Sequence, residues 1–155
     1  MTIEYSTRVY WALFTRKCPV ALTISLFYAG LLGLILLALS WRVVALRRHH
    51  KVGIGAGERS DLELAIRAHA NFSEYVPLVL LLLVILEASA AMPALVLHLL
   101  GATLVIARLL HGFFGLNRSA GVSQGRFLGT LLTWLVLLAS ALLAAGVAIA
   151  RWVLV

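Results

Sequence analysis

Val20–Trp41 reads VALTISLFYAGLLGLILLALSW: 22 residues without a formal charge, bracketed by Arg16, Lys17 and Pro19 on one side and by Arg42, Arg47 and Arg48 on the other. Crossing about 30 Å of hydrocarbon at about 1.5 Å per helical residue takes about 20 apolar residues, so the stretch predicts a membrane-spanning helix. A cleaved secretory leader has a shorter apolar run, about 7 to 15 residues, followed by a small-residue cleavage site, and neither is present. The residues ahead of the span, with Tyr5, Tyr10, Trp11 and Phe14 among Arg8, Arg16 and Lys17, suit a segment lying at the membrane interface.

Outward from this span, polar links alternate with further apolar runs. Arg42–Arg59 is basic and contains Gly53, Gly55 and Gly57, which reads as a loop. Ser60 and Glu63 have capping-box spacing and open a second helix, with Pro77 inside it as a kink point. Ala91, Met92 and Pro93 make a short uncharged turn into a third helix, residues 115–125 a polar loop, and Phe127–Ala150 another 24 residues without formal charge. The expectation is a single all-α domain over residues 1–155, an integral membrane four-helix bundle with spans at 20–41, 61–90, 94–114 and 124–152.

Composition agrees. At 63% hydrophobic and 12% charged, with a mean hydropathy of +1.03, the chain has too little polar surface to coat a soluble globule, whose charged fraction is usually about 25%. The net charge of +7 does not point to nucleic acid, because the basic residues cluster between apolar runs and do not stripe an exposed domain. They are topology signals. Arg42, Arg47, Arg48, Lys51 and Arg59 mark the first loop and Arg118 and Arg126 the third, whereas the second has none. The positive-inside rule then puts both termini outside the cytoplasm, with Arg8, Arg16 and Lys17 pulling weakly the other way. Cys18 stands alone, which excludes an intramolecular disulfide, and no acid or histidine is patterned around it as for a nucleophile.

The functional signal lies in the second helix. Arg67, Asn71 and Glu74 fall within an arc of roughly 60° at about 100° per residue, so one face carries a cation, an amide and a carboxylate. Arg108 and His111 near the end of the third helix, and Arg126 opening the fourth, come to the same side of the bilayer by antiparallel connectivity. Each residue has a bland reading: Arg67 or Arg108 pairing with Glu74 to hold helices together, or Arg126 snorkelling to headgroups. Together, three arginines against one matching carboxylate leave surplus positive charge, and a surplus calls for an anion such as a carboxylate, phosphate or thiolate. His69 faces away from this arc, towards another partner. His98 reads as a helix-packing hydrogen-bonder and Glu87 as an interface marker. His49 and His50 sit among cations without a nearby carboxylate or cysteine, so no metal site is expected.

The stretch Ala65–Pro77, AIRAHANFSEYVP, resembles the second-helix signature of the MAPEG superfamily, the membrane-associated proteins in eicosanoid and glutathione metabolism. The order of four helices, the basic loop before the signature, Arg108 with His111, and the arginine opening the fourth helix resemble that family too. The resemblance implies a homotrimer in a bacterial inner membrane, with glutathione as cosubstrate bound between subunits near the cytoplasmic face. By position Asn71 and Glu74 match glutathione-binding residues, with Glu74 taking the ligand's amino group. Arg67, Arg108 and His111 line or brace the site, and Arg47 reaches ligand carboxylates. Arg126 matches the arginine that stabilises the glutathione thiolate, the nucleophilic form of the thiol. Ala70 stands where eicosanoid-synthesising relatives often carry arginine, and Gly115 and Thr130 where they carry tyrosines. The pattern therefore looks closer to the bacterial-type branch.

The expected function is a glutathione-dependent transferase or peroxidase acting on lipophilic electrophiles that arrive from the bilayer. The alternative is a non-enzymatic membrane scaffold or anionic-lipid-binding protein using the same arginines. An ion pathway fits less well, because no polar ladder continues across the membrane.

Overall fold

The computed structural model describes residues 21–116 and 123–153. The interfacial segment expected before the first span, Cys18, and Asn117 and Arg118 of the third loop lie outside the described residues. The architecture is all-α: α1 (Thr23–His50), α2 (Ser60–Ala88), α3 (Ala94–Leu109), a π-helical continuation over Leu110–Leu116, and α4 (Gln124–Val153). All four are long and apolar enough to cross a membrane, counting α3 with its continuation as one span.

Three local expectations need correction. The first helix does not stop at Trp41 but runs through the residues read as loop to His50. Val43, Val44, Ala45 and Leu46 carry no helix-breaking signal, and Arg47, Arg48, His49 and His50 complement the helix dipole in the last turn. The stop comes at Lys51, in the left-handed region at φ 56°, where its N–H and that of Val52 reach back to Arg48 O and Arg47 O. The Ser60/Glu63 capping box does not form. Ser60 is already the first helical residue, one position too late to cap, and Glu63 N donates to the Arg59 carbonyl. The last turns of the third span are π-helical, a widening that the apolar pattern of Leu109, Leu110 and Phe113 does not encode.

Packing centres on α2. Its buried residues Leu62, Ala65, Ala68, Phe72, Val76, Val79, Leu83 and Leu86 recur every three or four positions, so one stripe meets the other helices along the whole length. The fourth helix inverts the soluble pattern. It buries Gly129, Thr133, Val136 and Ser140, while Phe127, Leu131, Trp134, Leu135, Leu138 and Leu142 are exposed. That is the arrangement lipid favours, since leucine gains nothing by leaving acyl chains and small residues let backbones approach. Gly129 permits the closest approach: a Cβ there would lie 2.6 Å from His111 N and 2.7 Å from Ala107 O. Gly125, four residues earlier, abuts Phe114 and Gly115. Gly30 and Gly33 of α1, by contrast, face open space: a Cβ at either would meet nothing within 4 Å among the described residues.

At one end of the bundle, Ile24 N and Ser25 N at the start of α1 donate to the two oxygens of Glu87 at 2.9 and 2.7 Å. Glu87 is thus more than an interface marker; it caps another helix. Beside it Tyr28 Oη lies 3.1 Å from His98 Nδ1 and donates to His98 O, so His98 packs helices as expected. Arg151 donates to Ser89 O across the turn between α2 and α3.

Candidate anion-binding site

The opposite end gathers the start of α2, the end of the third span and the start of α4. A cavity of about 330 Å³ opens there, lined by Ser60, Glu63, Leu64, Arg67, Asn71, His111 and Arg126. Arg67 and Arg126 are exposed, and neither guanidinium has an ion pair or side-chain hydrogen bond among the described residues. The cavity wall therefore offers two open cations against the single carboxylate of Glu63, a net attraction for an anion.

Arg108 lies beneath this wall with 2% of its surface accessible. Its Nη1 donates to Asn71 Oδ1 at 2.8 Å, and its Nη2 donates to Gly129 O at 3.2 Å and to Thr133 Oγ1. Thr133 in turn donates to Gly129 O at 2.7 Å, the main-chain bond a helical threonine makes one turn back. Among the described residues the Nε of Arg108 has no partner and no carboxylate pairs with the guanidinium. Neither the Arg67–Glu74 nor the Arg108–Glu74 pairing forms. A buried arginine held by neutral acceptors carries a desolvation cost that an apolar packing residue would not, which marks this position as more than filler.

Of the residues expected in the site, Arg67, Asn71, His111 and Arg126 meet in the cavity, and Arg108 braces it from below. Glu74 is exposed and does not line it, whereas Glu63, which the sequence offered only as a capping residue, does. Arg47 is engaged elsewhere: its Nη1 donates to Gly53 O at 2.9 Å and Gly55 O at 3.1 Å, pinning the loop after α1. That loop ends in a contact missed from sequence, His50 Nε2 to Asp61 Oδ2 at 2.8 Å, so a carboxylate does accompany the histidine pair. Thr133 and Gly129 were also missed. Their four-residue spacing with Gly125 on one face of α4 is the signal that was available.

Gly115 and Thr130 have defined roles. A Cβ at Gly115 would stand 2.7 Å from Arg126 N, so this backbone has no room for the tyrosine of the eicosanoid-synthesising relatives. Thr130 Oγ1 donates to Arg126 O at 2.9 Å. Thr130 also lines a second hollow, about 430 Å³, together with Ser123, Arg126, Phe127, Leu131 and Trp134. This groove is mostly apolar and opens among side chains exposed on the outer face of the bundle. Arg126 belongs to both hollows.

Four apolar helices closing over a buried arginine and a cationic cavity define a polytopic membrane protein with a candidate ligand site at one end. Comparison with known proteins makes the class specific. The MAPEG family model matches residues 25–146, a span that contains every cavity residue, and the chain belongs to that family. It is similar to the inner membrane protein YecN of Escherichia coli K12, 36% identical over 115 residues that cover 74% of this chain and 85% of that protein. YecN of Escherichia coli O6:H1 matches to the same extent.

Proposed function

We propose that this protein is an inner membrane protein that binds glutathione, or a closely related anionic thiol, and uses it as a transferase or peroxidase cosubstrate against lipophilic electrophiles. The observation that carries the reading is Arg126, shared by a polar cavity and an apolar groove. A thiol tripeptide is polar and anionic and suits the cavity; an electrophile dissolved in lipid suits the groove. Arg126 stands where the two would meet. Its guanidinium favours the ionised form of a sulfur beside it, and the thiolate is the attacking species. Arg67 and Asn71 would hold carboxylate and carbonyl groups of the tripeptide, with His111 against its flank. With no tyrosine at position 115 or 130, the burden of stabilising sulfur falls on Arg126 in this chain.

Glu74 enters through assembly. It is exposed on the helix that carries Arg67 and Asn71, and the outward face of α1 and α2 beside it holds the unpacked Gly33 and a hollow of about 230 Å³. In the homotrimer that the family resemblance implies, Glu74 would complete a neighbouring subunit's site by taking the ligand's amino group.

The test is reduced glutathione binding to the detergent-purified full chain by calorimetry, with a thiolate difference spectrum on wild type and Arg126→Ala. Binding retained in the variant with the thiolate signal lost supports the assignment. Unchanged turnover in Arg126→Ala removes it. If the folded wild type ignores glutathione but responds to the anionic lipid content of vesicles, the same arginines are holding headgroups instead.

A further inference from the structure

We infer that Arg108 is a positioning residue: it grips Asn71 by its oxygen, turns the amide nitrogen of Asn71 to the cavity, and so makes that wall select ligands presenting carboxylate or carbonyl oxygens. The inference rests on the reading above that the cavity takes glutathione, and it assigns a chemical sense to one wall of it.

A guanidinium has donors and no acceptor, so the Asn71 atom 2.8 Å from Arg108 Nη1 must be the oxygen. The carboxamide is planar, with its oxygen and nitrogen diverging from one carbon. Fixing Oδ1 against Arg108 leaves Nδ2 as the Asn71 atom free to meet a ligand, and no hydrogen bond of Nδ2 is formed among the described residues. Asn71 is half-buried and lines the cavity that Arg67 and Arg126 also line. An asparagine without such an anchor can rotate and present either atom, so its wall would accept donors and acceptors alike. With the anchor, Arg67, Arg126 and Asn71 all act as donors. The anchor is itself held: Arg108 is fixed from the far side by Gly129 O and Thr133 Oγ1, so it cannot swing to follow Asn71. A purely structural arginine would need only acceptors. Its placement behind a cavity residue, and not along the apolar core, is what a positioning role requires.

The test compares Asn71→Asp, Asn71→Ala and the Arg108 variants Arg108→Lys and Arg108→Met by melting temperature and by reduced glutathione binding to the full-length protein. Aspartate keeps an oxygen for Arg108, and adds a charge to it, but has no N–H for the ligand. Asn71→Asp should therefore melt at or above the wild-type temperature while losing glutathione affinity by about tenfold or more, whereas Asn71→Ala should lose both. A structural role alone would not separate the two readouts. Arg108→Lys, which keeps one donor, should retain more affinity than Arg108→Met when both are folded. If Arg108→Met does not fold, the aspartate variant still decides. Asn71→Asp binding glutathione within about threefold of wild type overturns the donor assignment, and Asn71→Asp melting as low as Asn71→Ala overturns the Arg108 contact. Wild-type protein that does not bind glutathione overturns the proposed function instead, and the order of melting temperatures still decides whether Arg108 holds Asn71 by its oxygen.

Discussion

The two ends of this bundle treat polar groups in opposite ways. At the Glu87 end three polar side chains are spent on the fold, Glu87 on the first turn of α1, Tyr28 on His98 and Arg151 on the Ser89 carbonyl, while the small Ser25 hydroxyl is buried without a partner among the described residues. At the Arg126 end, Arg67 and Arg126 are left open over a cavity, and a third arginine is buried behind it with no carboxylate partner among the described residues. In a bilayer an unspent polar group is expensive, so the contrast separates an end whose charged side chains are spent on the fold from an end that keeps cations open.

This division can be broken experimentally. The largest effect on stability is expected from Gly129→Leu, because a side chain there would overlap the His111 and Ala107 backbone and force α4 away from the third span. The loss should be about 3 kcal/mol or more, read as a large drop in melting temperature or as failure to fold in detergent. Next comes Glu87→Ala, which leaves the Ile24 and Ser25 N–H groups without their acceptor and should cost about 1 to 2 kcal/mol, with Glu87→Gln falling between it and wild type. Arg151→Ala removes an exposed bond to Ser89 O and should cost about 0.5 kcal/mol or less. The smallest change is predicted for Arg126→Ala, within about 0.5 kcal/mol of wild type in the same melting assay. An Arg126→Ala protein as unstable as Glu87→Ala would erase the distinction between the two ends.

The four spans were legible because hydrophobic length is a local property: Val20–Trp41 and Phe127–Ala150 declare themselves without reference to anything they touch. The convergence of Arg67, Asn71, His111 and Arg126 was legible for a related reason, since antiparallel helices with short links bring known ends together. What escaped was decided by tertiary neighbours. Glu87 looks like an interface residue until α1 is seen to begin against it. Thr133 and Gly129 are ordinary in an apolar run until Arg108 reaches across to them. The capping box failed by one residue, because Arg59 and not Ser60 precedes the first helical turn. The overshoot of α1 past Trp41 escaped because a basic, lipid-averse segment is as compatible with helix as with loop once it leaves the hydrocarbon.

The groove beside Arg126 opens where Phe127, Leu131 and Trp134 lie exposed on the outer face of the fourth helix. On the proposed function, a lipid-soluble electrophile bound there would be delivered by lateral diffusion in the lipid phase, so its effective concentration would be counted per lipid and not per litre. Adding empty micelles or vesicles would dilute it while leaving a water-borne partner at the cavity untouched. If the proposed function holds, half-saturation for a lipid-borne compound should thus climb with total amphiphile and that for an aqueous thiol stay fixed, a surface-dilution signature that would give each reactant its own doorway.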